Sequence, residues 1–305
     1  MPHCSRTNRW QALFSILWIF AASTVAQAWE VPGDPLSRKY SEVQKILENI
    51  QKTHPQTSKL ITLGMNDTGE LISGLQIGFQ GPHAMVVSTH HGNEYGSTEV
   101  ALALAGSLAE SPLPGRKVTI IPVLNVSGYN KRMRQELGHD PNRDYPGPCG
   151  SEGPFKLRST KALADFIATE NVVVSATLHT AWPAVLYPWG FATQDLSTPY
   201  DGLYKQLGAA ATEESKYDVG NSTEMLYAAN GAYEDYAFLT HGAWSLLFEL
   251  GHTHTPDLNE IKTLREVNVP GIRRYLANAP QARAPDHAFQ GHCDAFLATL
   301  DRHEE

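Results

Sequence analysis

Cysteine is scarce in this chain of 305 residues: it contains three, too few for a small disulfide-rich scaffold. A basic cluster is also lacking. The 24 lysines and arginines are outnumbered by 32 acidic residues, and the formal net charge of −8 makes nucleic acid an unexpected partner. Beyond the first thirty residues, no apolar run is long enough to cross a membrane. With 42% hydrophobic and 18% charged residues, the composition is that of an ordinary folded enzyme.

The N-terminus differs in composition from the rest of the chain. Arg6 and Arg9 precede the apolar run WQALFSILWIFAAS, and the small-residue stretch AQA follows at Ala26–Ala28. These features are typical of a secretory signal peptide. We therefore expect residues 1–28 to be removed on export, leaving a periplasmic or secreted protein with no membrane association. An uncleaved membrane anchor is the alternative.

Export would change the meaning of the cysteines. Cys4 would leave with the signal peptide, so that only Cys149 and Cys293 remain. In an oxidising compartment such a pair can form a disulfide. The distance between their sulfur atoms cannot be read from the sequence, so a disulfide and two free thiols remain alternatives.

Short apolar strands alternate with amphipathic helices along the remainder of the chain. Buried strands are predicted for HAMVVST, KVTIIPVLN, VVVSATLH and WSLLFELG, and two further strands for KLITLGMNDTGELISGLQIGF. This alternation predicts an α/β fold, with a mixed, mostly parallel central sheet flanked by helices on both faces. We assign residues 29–280 to one catalytic domain and 281–305 to a C-terminal tail, and we expect a monomer.

Two helix ends are also predicted. STKALADFIATE should form a helix with Ser159 or Thr160 as its N-cap, because a hydroxyl there can accept from the first free amides. The last helical stretch, NEIKTLREVNVPGIRRYLANA, should be interrupted at Pro270.

Three of the predicted strands end in polar side chains. AMVVST runs into His90, His91 and Glu94, VVVSATL ends in His179, and SLLFEL carries Glu249. In sheets of this kind ligands bind beyond the carboxyl ends of the strands. We therefore expect these distant side chains to meet at one edge of the sheet.

The pattern His91-x-x-Glu94, with His179 as a third partner, predicts a metal site. Catalytic zinc takes three protein ligands from His, Asp and Glu and leaves one position open for water. The pattern alone is weak evidence, because a polar loop could also carry these residues. His90 is the rival ligand, and the spacing favours His91. A carboxylate within an apolar strand is expensive to bury without a partner, so Glu249 is expected to have a functional role.

Together with the motifs between and after them, these residues make the chain similar to the zinc metallocarboxypeptidases of the carboxypeptidase A type. The resemblance is to an exported bacterial member of that family. The order of the family's motifs is kept over roughly residues 35–278, and Tyr227 precedes Glu249 by the family's own separation. The matching stretches are HGNE, NVSGY, DPNRDYP, TLHTAWPAVLYPWG, EMLYAANGAYEDY and FEL.

The resemblance implies one Zn²⁺ per chain and a role for each site residue. His91, Glu94 and His179 would hold the metal, and Glu249 would act as the general base. An arginine would stabilise the oxyanion, for which we choose Arg134 over Arg132. The residues implied to bind or cover the substrate's free C-terminal carboxylate are Asn142, Arg143 and Tyr227.

The resemblance also implies a peptide substrate and a specificity pocket. Glu234 falls at the position of the pocket floor, where an acid would prefer Lys, Arg or diaminopimelate at the C-terminus. Its alternatives are to face solvent or to pair with an arginine or lysine. We expect a carboxypeptidase whose substrates include bacterial cell-wall peptides. The alternatives are a zinc-dependent deacylase that releases an amino acid from an N-acyl group, and a ligand-binding protein without turnover.

The chain departs from the digestive members of that family near the metal. His179 is followed by Thr180 and Ala181 where those enzymes have Ser-Tyr, which changes the wall of the outer subsites. The histidines of HTHT, His252 and His254, are interpreted as exposed or supporting side chains and not as a second metal site.

Overall fold

A computed structural model of the protein describes residues 29–150 and 153–293. The strands are β1 (Ser58–Met65), β2 (Leu71–Ile77), β3 (His83–Ser88), β4 (Lys117–Ile121), β5 (Val172–His179), β6 (Ala184–Tyr187), β7 (Asp218–Asn221) and β8 (Trp244–Glu249). The α-helices are α1 (Tyr40–Thr53), α2 (Tyr95–Glu110), α3 (Val126–Lys131), α4 (Arg158–Thr169), α5 (Asp201–Ala211), α6 (Ser222–Met225), α7 (Tyr233–His241) and α8 (Leu258–Asn278). The predicted signal peptide lies outside the described residues, as does the end of the predicted tail.

The strands form one mixed sheet in the order β1-β2-β4-β3-β5-β8-β6-β7. The four central strands, β4, β3, β5 and β8, are parallel to one another, and antiparallel pairs occur toward both edges. Helices α1, α2, α5 and α8 pack with one another, while α4 and α7 form a second group. The predicted α/β class with a mostly parallel central sheet is confirmed.

The central strands are apolar throughout because helices cover them. Every residue of β3 and β5 is buried, whereas β1 at the edge exposes several side chains. Helix α2 is buried on nearly all sides, since it packs against the sheet and against α8. Within the described residues, no helix combines the length and the apolarity that a membrane span requires.

Both helix-end predictions were wrong. Helix α4 has Leu157 at its N-cap, because the two hydroxyls bond elsewhere: Ser159 donates to Glu136 at 2.5 Å and Thr160 to Asp144 at 2.5 Å. Helix α8 continues through Pro270. Buried side chains on both sides of the proline hold the helix together despite the missing backbone donor.

The described part of the C-terminal tail lies against the domain. Trp244 donates its indole N–H to the carbonyl of Ala282 at 2.8 Å, and Arg283 donates to two backbone carbonyls of the α4–β5 region. The tail then reaches Cys293, which forms a disulfide with Cys149. Of the two alternatives left open by the sequence, the structure contains the disulfide.

Replacing Cys293 by serine should lower the free energy of unfolding. The disulfide closes a loop of 144 residues, and its loss should cost about 2–4 kcal/mol by restoring freedom to the unfolded chain. Urea denaturation of the wild-type protein and of C293S checks this. Dithiothreitol should reduce the stability of the wild-type protein to that of the variant and leave the variant unchanged. Equal stability with and without the reductant would contradict the prediction.

His83 at the start of β3 should make stability depend on pH. Its ring bonds to the Thr119 hydroxyl at 2.8 Å, and burial, followed by the Lys117 ammonium, lowers the pKa of His83 from 6.5 to about 4. The unfolded chain therefore binds this proton more readily than the folded protein. The stabilisation that the neutral ring contributes to the free energy of unfolding is present above pH 6.5 and is lost as the pH falls toward 4.

The decrease in the free energy of unfolding caused by His83 should reach about 3 kcal/mol near pH 4. Free energies of unfolding measured in urea at pH 7, 5.5 and 4.5 would show it. In H83Q, which carries no titrating group at this position, stability should fall less over the same interval. Parallel pH profiles for the two proteins would exclude His83 as the cause.

Candidate metal centre

The register of the parallel strands brings the predicted residues to one edge of the sheet. β5 lies between β3 and β8, and its last residue, His179, pairs directly with Glu249, the last residue of β8. The last residue of β3 pairs with Leu178, so the loop carrying His91 and Glu94 starts beside His179. The convergence predicted from the strand ends is therefore observed.

His91, Glu94 and His179 form a buried cluster of potential ligands. The Glu94 carboxylate lies 2.7 Å from His91 Nδ1 and 3.0 Å from His179 Nδ1, and the two Nδ1 atoms are 3.2 Å apart. Ligands of a tetrahedral Zn²⁺ at about 2.1 Å would stand about 3.4 Å from one another, so the donor set fits this ion. Among the described residues, this is the one group of three or more such side chains close enough to share a metal.

Asp140 supports the cluster through a contact to the ring of His91, a role that was not predicted from the sequence. Its Oδ1 lies 3.0 Å from His91 Nε2, which leaves Nδ1 of that ring for the metal. Burial alone would depress the pKa of His91, but the carboxylates of Glu94 and Asp140 raise it to about 9. Glu94 is held in turn by the backbone N–H of Thr180, which donates to Oε2 at 3.1 Å.

His90 packs beside the cluster and is not part of it. Its ring stacks on His179, with the centroids 5.4 Å apart, and its Nε2 lies 3.1 Å from the hydroxyl of Tyr145. The choice of His91 over His90, which was made on spacing, agrees with this arrangement. Gly92 follows in a position where a Cβ would collide with the backbone of Gly128, so a glycine is needed there.

Glu249 lines the same cleft from the end of β8. Its Oε2 is buried and has no hydrogen-bond partner in the part of the chain that the structure describes. Burial, followed by the nearby Glu94 carboxylate, raises the pKa of Glu249 well above its ordinary value. A carboxylate destabilised in this way is a strong proton acceptor, which suits a general base.

The structure distinguishes the two candidate arginines. Arg134 lines the cleft, with its Nη1 3.9 Å from Glu94, and forms an ion pair with Asp140 at 2.8 Å. Arg132 binds backbone carbonyls of residues 35–38 and stacks on Tyr95. Of the two, Arg134 is therefore the arginine that can reach a substrate.

Asn125 of NVSGY holds the arginine loop in place. Its side-chain amide donates to the carbonyls of His90 and Arg134, both at 3.1 Å, and its Oδ1 accepts from Gly128 N. It thus joins the metal-binding loop to the loop that carries Arg134. This role was not predicted from the sequence.

The residues predicted to hold the substrate carboxylate lie together at the cleft. Asn142 Oδ1 accepts from the backbone N–H of Tyr233, which leaves the Nδ2 donors of Asn142 for a ligand. Arg143 Nη2 donates to the hydroxyl of Tyr227 at 3.1 Å. Tyr227 is 59% exposed and lines the cleft, so it stands at the surface beside the arginine.

Glu234 is neither solvent-exposed nor engaged in an ion pair within the described residues. It lies on the first turn of α7 with 3% of its surface exposed, and it lines the cleft. Its Oε2 is buried without a hydrogen-bond partner from residues 29–150 or 153–293. Within the described residues, neither alternative considered from the sequence is therefore observed.

The cleft, about 180 Å³ in volume, joins all of the predicted site residues. A family model described as zinc carboxypeptidase, Peptidase_M14, matches residues 43–271. The chain belongs to this family. It is a metallocarboxypeptidase, a zinc-dependent hydrolase of a family that acts on peptides at their C-terminal residues.

The zinc carboxypeptidase is similar to proteins of several origins. It is 23% identical over 289 residues to carboxypeptidase SOL1 of Arabidopsis thaliana, a match that covers 83% of this chain and 58% of the relative's length. The carboxypeptidase A structure from Helicoverpa armigera aligns with a TM-score of 0.69 at 20% identity, covering 79% of this chain and 74% of that one.

A second structural neighbour of the zinc carboxypeptidase is the murein-tripeptide amidase MpaA from Escherichia coli O157. It aligns with a TM-score of 0.53 at 15% identity and covers 72% of this chain and 92% of that one. At such identities the two structural neighbours establish the shared fold.

Replacing Glu249 by glutamine should abolish most turnover without removing the metal. The amide cannot accept the water's proton, so kcat should fall by about 10²–10⁴-fold. Metal analysis should find one zinc per chain in E249Q and a deficit in E94Q, which lacks a charged ligand. Near-normal kcat in E249Q would contradict the assignment of Glu249 as the base.

Proposed function

We propose that this protein is an exported bacterial carboxypeptidase that removes residues with a side-chain ammonium or guanidinium, namely lysine, arginine or diaminopimelate, from the C-terminus of cell-wall peptides. The observation that carries the preference is Glu234, a buried acid with an unpaired oxygen at the inner end of the cleft. A ligand ammonium would supply the charge and the donors that this carboxylate lacks.

The inner end of the cleft suits a terminal amino acid. The planar guanidinium of Arg143 and the free amide of Asn142 are suited to the terminal carboxylate, with the hydroxyl of Tyr227 beside them. Glu234 is suited to the far end of a cationic side chain. Because Glu234 is buried in protein, its electrostatic discrimination between charged and uncharged side chains should be strengthened.

The hydrolysis itself then needs a base and an anion-stabilising group. Zn²⁺ bound by His91, Glu94 and His179 would polarise the scissile carbonyl and acidify water. Glu249 would accept a proton from the attacking water as the water oxygen bonds to the carbonyl carbon. It would then pass that proton to the leaving amine when the C–N bond breaks. Arg134 would donate to the oxygen that gains negative charge.

Two observations support a cell-wall substrate over other peptides. The N-terminal stretch has the features of a signal peptide, which would take the enzyme to the compartment of the wall. The fold is shared with a murein-tripeptide amidase. Diaminopimelate carries a side-chain ammonium, and the proposed role of Glu234 would accommodate it.

Substitution of Glu234 should change the preference for the terminal residue. With paired peptides that end in Lys, Phe or Glu, the wild-type enzyme should favour Lys. In E234Q, kcat/KM for the Lys peptide should fall by about 10–100-fold, because the ion pair is lost, while the Phe peptide should be affected much less. Steady-state kinetics on the purified enzyme measure both.

The matched control is E224Q, which removes the same charge from an exposed glutamate of α6 outside the cleft. It should behave as the wild-type enzyme. Equal wild-type rates on all three peptides would remove the proposed preference. Mass spectrometry of muropeptides after incubation with the enzyme would then test the wall substrate directly, by the loss of a terminal diaminopimelate or lysine.

A further inference from the structure

We propose that His254, together with Trp182, binds the substrate residue on the N-terminal side of the scissile bond. Both side chains line the cleft, but they are far more exposed than Glu234, with 49% of the His254 side chain and 55% of Trp182 accessible. A substrate whose terminal residue lies against Glu234 can extend out of the cleft past these two exposed side chains.

The loop that carries His254 is fixed at several points. The hydroxyl of Tyr217 accepts from Gly251 N at 3.0 Å, and the hydroxyl of Tyr95 donates to the carbonyl of Pro256 at 2.9 Å. Between them, Thr255 N donates to the Thr253 hydroxyl. A histidine held in this way is positioned before substrate arrives, which reduces the entropy lost on binding.

One ring nitrogen of His254 is engaged by the protein and the other is not. Nδ1 lies 3.1 Å from the hydroxyl of Thr180, and no contact to Nε2 is formed by the described residues. Nδ1 is also 3.9 Å from Glu94 Oε1, directly beside the predicted metal site, but His254 is not part of the ligand group formed by His91, Glu94 and His179. Nε2 is therefore the atom available to a substrate group that lies just outside the reaction centre.

The wall beside His254 also contains a small and a large apolar side chain. Ala181, between Thr180 and Trp182, lines the cleft and has only a methyl side chain. Trp182 follows as a large exposed apolar surface on the same side. A polar backbone group of the preceding residue would meet His254, and its side chain would pack on the indole.

The test uses a blocked dipeptide, N-acetyl-alanyl-lysine, and free lysine as an inhibitor that reaches only the inner pocket. H254A should lower kcat/KM for the dipeptide by about tenfold, mainly through KM, as expected for one lost hydrogen bond. The inhibition constant of free lysine should not change. H254Q, whose amide can still form a hydrogen bond, should recover part of the loss.

H252A is the matched control, since His252 lies on the same loop outside the cleft. It should resemble the wild-type enzyme, and the zinc affinity of H254A, measured by competition with a chelator, should be unchanged. Weaker zinc binding, weaker lysine inhibition, no loss on the dipeptide or an equal loss in H252A would each overturn the inference. The choice of lysine rests on the proposed function, whose own failure would appear separately, as a wild-type enzyme with no preference for the Lys peptide.

Discussion

The site depends on the parallel alignment of β3, β5 and β8, which fixes where three loops leave the sheet. Because His179 and Glu249 are paired residues at the ends of neighbouring strands, a shift of one residue in register would turn one of them away from the cleft. Helices bury both faces of these strands, so their apolar side chains resist such a shift. The same burial that stabilises the sheet therefore sets the geometry of the metal centre.

Concentrating ionisable groups at this edge is electrostatically costly, and the protein limits the cost by pairing them. Glu94 lies between two imidazoles, and Asp140 between His91 and Arg134. Glu249 remains without such a partner, and its pKa is raised by burial as a result. Of the two carboxylates in the cleft that have an unpaired oxygen, Glu249 and Glu234, Glu249 is the one that would serve as the proton acceptor, whereas the paired groups would hold a cation or orient its ligands.

The sequence predicted the centre of the sheet and its β1–β2 edge better than the opposite edge, formed by β6 and β7. Strands buried on both faces are continuous apolar runs, and all four central strands were recognised for this reason. β6 and β7 have four residues each, too few to show a periodicity, and they were missed. Pro270 and the hydroxyls near the start of α4 were misjudged because local preferences were overridden by packing and by distant carboxylates.

Within the site, the predictable residues are those with a fixed spacing and a reactive side chain. His91 and Glu94 met this condition, whereas His179 was chosen for its place at the end of a buried strand and by the family resemblance, and the structure brings all three together. Asp140 and the backbone amide of Thr180 act through contacts between segments far apart in the chain, for which no local pattern exists.

The two ends of the cleft have separate supports, and this separation has a consequence for how such enzymes can diverge. The inner end is built from α7 and the turn at residues 141–143, which are joined by the bond from Tyr233 N to Asn142. The outer end is built from the loops after β5 and β8, joined by Thr180 and His254. A substitution at one end therefore leaves the other in place. With the roles proposed above, selectivity for the released residue and for the remaining peptide could change independently, while the sheet and the metal ligands between them stay the same.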